Sequence, residues 1–139
     1  MINAVMESIC TALALEFGHD YEIHTEEVNE TLEKPCFCIQ CISGTVWPCA
    51  EGRYGMRKRF RVQYLPMTEQ RLRECNEIAD RIIWCLALIT VEGNGYQGTK
   101  MMHEMTESTL DFYVDYEYYV CKTEENVPME SLVSQTKGK

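Results

Sequence analysis

No stretch of the sequence approaches the roughly 20 apolar residues needed to cross a bilayer. Nor does a basic region precede the apolar residues of MINAVMESICTALALEF, which Glu7 and Glu16 interrupt. We therefore expect neither a membrane span nor a cleaved leader, and a protein kept in the cytoplasm. Histidine is scarce: His19, His24 and His103 each sit in a polar setting, with no nucleophile beside them in a recognisable motif. Glu26, Glu27 and Glu30 make an acidic run that nothing fixes opposite a cleft, which is the pattern of a solvated face. The glycine-rich EGNGYQG, Glu92 to Gly98, follows a helical pattern and precedes a strand-like one. A phosphate cradle needs the opposite order, so these read as turn glycines. Nothing here carries a catalytic motif, and the expectation is a non-enzyme with no cofactor.

Basic residues are also in short supply. Thirteen Lys and Arg against 22 Asp and Glu give a net charge of −9, which argues against a general binder of nucleic acid or anionic membranes. Five of the thirteen, Arg53, Arg57, Lys58, Arg59 and Arg61, lie within nine positions, leaving eight basic against 22 acidic residues elsewhere, a balance of −14. A small nucleic-acid-binding regulator using Arg57, Arg59 and Arg61 on phosphates is the alternative reading. The acidic remainder would repel DNA, and no aromatic residue interleaves on that arginine face as single-strand binding favours.

Cysteine is plentiful, with eight in 139 residues. Without a leader they are expected to remain thiols. Cys10, Cys75 and Cys85 fall on or beside helical apolar stripes, where a thiol acts as a small hydrophobe. Cys36, Cys38, Cys41 and Cys49 form the one cluster and are weak metal candidates. On a strand Cys36 and Cys38 share a face while Cys41 points away, and the spacing matches no familiar zinc knuckle. The reading is buried or half-buried thiols and no metal.

The most informative stretch is Gly55 to Pro66, GMRKRFRVQYLP. Met56, Phe60, Val62 and Tyr64 take one parity and Arg57, Arg59, Arg61 and Gln63 the other, the period of a half-buried strand, broken only by Lys58. A second strand, Thr109 to Cys121, alternates Leu110, Phe112, Val114, Tyr116, Tyr118 and Val120 with Asp111, Tyr113, Asp115, Glu117 and Tyr119. One outer row is basic and the other acidic and aromatic.

Around these strands, Met1 to Phe17 reads as an amphipathic helix capped by Gly18. Tyr21 to Thr25 suggests a short strand. Cys36 to Ser43 reads as a central strand, apolar on both faces, and Gly44 to Gly55 as a long hairpin connection. Trp47, at the root of that connection, is read as packed. Thr68 is placed as the N-cap of a long helix whose stripe runs Leu72, Cys75, Ala79, Ile82, Leu86, Ile89. Ile78, Ile83, Trp84 and Leu88 widen its apolar surface, which implies deep burial or a neighbour. Lys100 to Thr106 is a fourth strand. The order α-β-β-β-α-β-β implies an α+β fold, a mostly antiparallel sheet of about five strands with two helices packed on one face. Residues 1–121 form one domain and 122–139 a flexible polar tail, in which Val127, Met129, Leu132 and Val133 are apolar residues suited to ordering on a partner.

An N-terminal amphipathic helix, the basic strand ending RVQYLP, the helix opening TEQRLRECNEIADRIIWCL and the closing strand TLDFYVDYEYYV together resemble the tail terminator (tail completion) proteins of long-tailed phages and prophages. The likeness covers about residues 1 to 121. It implies a non-enzymatic structural protein that forms a ring, commonly of six subunits, on the head-proximal end of the finished tail tube. Such a ring stops tube growth and provides the head-docking surface. The implied partners are other copies of the chain, the major tail tube protein and a head-completion or connector protein, with no membrane and no sequence-specific nucleic acid. The implied location is the host cytoplasm during assembly and then the virion. Another head-tail connector subunit with a similar ring is an alternative within the same class. In a ring, Arg57, Arg59 and Arg61 of one subunit are expected to face Asp111, Asp115 and Glu117 of the next, setting partner and register.

Overall fold

The computed structural model describes residues 1–27 and 31–122. Helix α1 spans Ile2–Phe17 and buries Val5, Ile9, Leu13 and Phe17, one residue per turn on a single stripe. Gly18 ends it at φ +87°, donating its N–H to the Ala14 carbonyl at 3.0 Å. That is the left-handed region in which a Cβ is penalised. Strand β1 (Glu22–His24) lies parallel to β2 (Cys36–Pro48), while β2 is antiparallel to β3 (Arg53–Leu65), the basic strand. Helix α2 spans Arg71–Leu86. Strands β4 (Leu88–Val91) and β5 (Asn94–Gln97) form a separate small hairpin. Strands β6 (Thr99–Met105) and β7 (Leu110–Cys121) then complete a five-stranded sheet of order β1-β2-β3-β7-β6. The protein is α+β with a mostly antiparallel sheet, and the two other long strands, β2 and β7, flank the basic strand.

One face of this sheet is sealed. The stripe of α1, Cys75, Ile78, Ala79, Ile82 and Leu86 of α2, and Phe37, Ile39, Phe60, Val62, Phe112, Val114 and Tyr116 of the central strands belong to a single buried cluster. Each large apolar side chain removed from water here contributes roughly 1.5–3 kcal/mol. Phe17, Tyr21, Phe37 and Tyr64 stack in tilted pairs with centroids 5.0 to 6.2 Å apart.

Four local expectations are corrected. Strand β2 does not end at Ser43 but runs to Pro48, so the connection to β3 shrinks to a short 3-10 turn over Ala50–Gly52. The register slips between Cys41 and Ser43, a bulge that flips parity. Cys36, Cys38 and Gln40 face outward before it, and Ser43, Thr45 and Trp47 after it, so no single alternation marks the strand. Helix α2 begins at Arg71, not after Thr68. Instead of capping the helix, Thr68 donates its hydroxyl to Glu74 Oε1 at 2.7 Å, and its backbone N–H reaches the same oxygen at 2.8 Å. The apolar stripe also leaves the helix at Leu86: Ile89 is buried on β4.

The fourth correction is the hairpin itself. Glu92 and Gly93 turn it with φ of +53° and +85°, the doubly positive geometry of a tight two-residue hairpin loop. Gly98 then passes so close to the end of α2 that a Cβ there would meet the Leu86 carbonyl oxygen at 2.7 Å. The tail expected from 122 onward lies, after Lys122, outside the described residues, as does Glu30.

Candidate assembly surface

Among the described residues no helix covers the other sheet face, and its side chains interlock across strands. Pairing of β3 with β7 sets Arg57 opposite Glu117, Arg59 opposite Asp115, Arg61 opposite Tyr113 and Gln63 opposite Asp111. Arg57 Nε donates to Glu117 Oε2 at 2.7 Å, and Arg59 Nη1 donates to Asp115 Oδ1 at 2.8 Å. Asp115 is the more enclosed partner, its side chain 5% exposed against 26% for Arg59. Farther along, Gln63 donates to Asp111 Oδ1 at 3.2 Å, and the Thr109 hydroxyl donates to the same oxygen at 2.6 Å.

The expected interface residues are thus brought together, but inside one subunit. The row-to-row pairing imagined between neighbours is already made in-chain, because β7 lies directly beside β3 in this register. Among the described residues, Arg61 is the member of the basic row without a carboxylate partner. Its Nη2 donates to Gln40 Oε1, and its Nε has no hydrogen-bond acceptor among the described residues. Glu26 and Glu27 line the open hollow beside it, with Ile42 on the rim.

Aromatic residues close the far end of this face. Trp47, Gly55 and Tyr119 stand in one row across β2, β3 and β7. The indole lies flat over Gly55, where a Cβ would come 2.2 Å from Trp47 Cε2, so only glycine leaves it room. Aromatic cover of a strand glycine in this way restores the packing that the missing side chain forfeits. Tyr119 meets Trp47 edge-on at 6.3 Å, and the Arg57 guanidinium sits 5.4 Å from the indole centroid. Arg59 likewise stacks 5.0 Å from the Tyr113 ring. Trp47 is therefore half-buried on the outer face, with no place in the sealed core, and Tyr119 is 49% exposed. A guanidinium held between a carboxylate and an aromatic face is fixed in position.

The remaining candidates do not assemble into a chemical site. Cys36 and Cys38 are buried on the outer face with Leu32 and Leu65, and burial, helped by the neighbouring Cys36, pushes the Cys38 thiol up to about 12. Cys41 falls on the opposite parity, against the sealed core. Cys49 lies beyond the end of β2, and thirteen residues at a strand rise of about 3.3 Å put it ~40 Å from Cys36. Four thiolates so spread cannot meet on one ion. Burial also pushes Cys85, whose thiol donates to the Ala12 carbonyl at 3.2 Å, up to about 11. His24 pairs with Glu22 at 3.0 Å, and His19 and His103 are exposed. No helix among the described residues is long and apolar enough to cross a membrane.

A helix-backed sheet with one face sealed and the other presenting interlocked polar and aromatic rows is a scaffold for contact. The family model described as phage tail terminator protein matches residues 4–128. The chain belongs to the phage tail terminator family. This is a structural family of the phage tail, and membership implies a place in the virion and interaction with other tail or head proteins. The match begins at Ala4, two residues inside α1, and takes in α2, every strand described above and six residues past Lys122. No curated protein matches the chain.

Proposed function

We propose that this tail terminator closes into a ring, hexameric by the family expectation, that caps the head-proximal end of the tail tube, ends its growth and offers the head-docking surface. We assign the subunit contact to the outer sheet face, with Arg57, Arg59, Arg61, Asp111, Asp115 and Glu117 within it. The observation that carries this reading is the in-chain pairing of two arginines on that face. Arg57 and Arg59 are matched by Glu117 and Asp115. A face whose charges are already paired loses far less on desolvation against a neighbour than one carrying bare ions. The aromatic row of Trp47 and Tyr119 supplies the residue types enriched at contact centres. Arg61, half-buried and without an ion pair among the described residues, is a position where an incoming carboxylate gains a new charge-assisted bond to the guanidinium.

The same pairing disfavours a nucleic-acid regulator, since a phosphate would have to displace Glu117 and Asp115 in a chain of net charge −9. The test is solution mass by light scattering together with electron microscopy of mixtures with tail tubes. A ring-sized particle seated at one tube end, and tubes of defined length, are the expected result. A monomer that leaves tube growth unchanged contradicts it.

A further inference from the structure

The helix layer carries an apolar patch of its own on the side away from the sheet. Trp84 is 80% exposed, and Leu15 and Leu88 are exposed with it. The buried stripe of α2 is Cys75, Ile78, Ala79, Ile82 and Leu86, and at 3.6 residues per turn Trp84 points directly away from that stripe. Ala87 keeps helical dihedrals after α2, so Leu88 stands one turn on from Trp84 as its surface neighbour. Leu15 joins them over the seam between the helices, where Arg81 Nε donates to Glu16 Oε2 at 2.9 Å and the Cys85 thiol donates to the Ala12 carbonyl. Leu15 and Leu88 line one open hollow there. The hollow next to it, which shares Ser8 and Thr11 with the first, is lined by Glu7 and Glu92. Neither carboxylate has an ion pair among the described residues. An exposed apolar cluster with a charged rim marks a contact surface, and tryptophan is among the residues that dominate such contacts.

We infer that this patch is the other half of the subunit contact: it docks on the aromatic end of the outer sheet face of a second copy, with Glu7 and Glu92 meeting Arg53. The inference rests on the proposed ring and names the surface that the outer face meets in it. Complementary chemistry carries it. Arg53 has the outward parity of Gly55, two positions along β3 from the row of Trp47, Gly55 and Tyr119. It is exposed and has no ion pair among the described residues. An apolar knob with two free anions at its rim thus matches an aromatic row with a free cation at its edge. A second copy of the helix patch would bring only more free carboxylates, which disfavours pairing of the patch with itself. The two matched surfaces also lie on opposite layers of the fold. Their contact is therefore heterologous, the kind that closes rings, whereas a face paired with itself stops at a dimer.

Complementation between two full-length variants tests this, with mass read by light scattering. Trp84→Glu leaves a chain its sheet patch, and Tyr119→Glu leaves a chain its helix patch. Both positions are exposed, so each variant should keep a parental melt and run alone as a monomer. An equal mixture should give a particle of two chains, because one sound contact remains and nothing extends it. A Trp84→Glu or Leu15→Glu chain that still forms rings of parental mass overturns this inference and leaves the ring standing. Monomers that stay monomers on mixing overturn the pairing of these two patches, and a parent that is itself a monomer removes the ring and this contact together. Arg53→Glu should cut the ring fraction several-fold, and adding Glu7→Lys and Glu92→Lys to the same chain should restore part of it. Failure to restore it counts against the charge match.

Discussion

The two faces of the one sheet are held by different physics although they are written on the same strands. On the helix-facing side of β3 and β7, Phe60, Val62, Phe112 and Val114 are at 0% exposure and interchangeable in kind, so what matters there is volume. On the outer side, Arg57, Arg59 and Asp115 are specific to one register, and what matters is which residue stands opposite which. The sealed face supplies stability, and the outer face supplies a patterned surface at little net cost or gain. Variants on the two sides should therefore fail in different ways.

The largest effect is expected on the sealed side. Phe112→Ala removes a fully buried ring from the middle of the cluster and should cost about 3–5 kcal/mol, read as a lower denaturant midpoint with an unchanged slope. A loss as small as that of a surface residue would mean that the helices do not close this face tightly. On the outer side, Asp115→Ala leaves the Arg59 guanidinium without its carboxylate in a setting only 26% exposed. We expect a cost of about 1–3 kcal/mol, and Arg59→Met in the same background should recover part of it. If the double variant is no better than the single, the pair is not what Asp115 is for.

A third difference is read through pH. Burial tends to raise the Glu74 carboxyl, but hydrogen bonds from Tyr64, Thr68 and the Met67 N–H outweigh it and hold the group below the usual glutamate value. A carboxyl lowered in the folded state adds stability above its unfolded value, near pH 4.3, and that stability is lost as pH falls through the lower folded value. Thermal midpoints of the parent and Glu74→Gln should therefore differ at neutral pH and converge in acid. A constant gap would remove Glu74 from the account. The smallest effect belongs to the exposed end of the ladder. Arg57→Ala breaks a pair whose two side chains are each 36% exposed, and should change stability by only about 0–1 kcal/mol.

How much of this was legible in the sequence differs between the faces in the same way. Parity is a local property, so Phe60, Val62, Phe112 and Val114 could be assigned inward, and the arginine and carboxylate rows outward, from their own strands. Pairing is not local. Nothing in the order of residues says that Arg59 lies opposite Asp115 of its own chain instead of a neighbour's, because that needs the register of β3 on β7. The far half of β2 was hidden by the bulge near Ile42, which exchanges its faces midway. The β4–β5 hairpin was hidden by a helical stripe that continues to Ile89, and by Glu92, which takes a positive φ where glycine or asparagine is the usual signal. The cysteine cluster was legible only as a list of thiols, and strand length disperses it.

The central claim is that the outer face, on which Arg57 and Arg59 are paired in-chain while Arg61 and Asp111 have no ion pair among the described residues, is the contact between subunits. Arg61→Glu tests it most directly, since Arg61 has no ion pair of its own to lose among the described residues. Mass by light scattering should show a folded monomer with a near-parental melt that no longer caps tail tubes at physiological salt. A ring of parental mass that still caps tubes would contradict the assignment of this face.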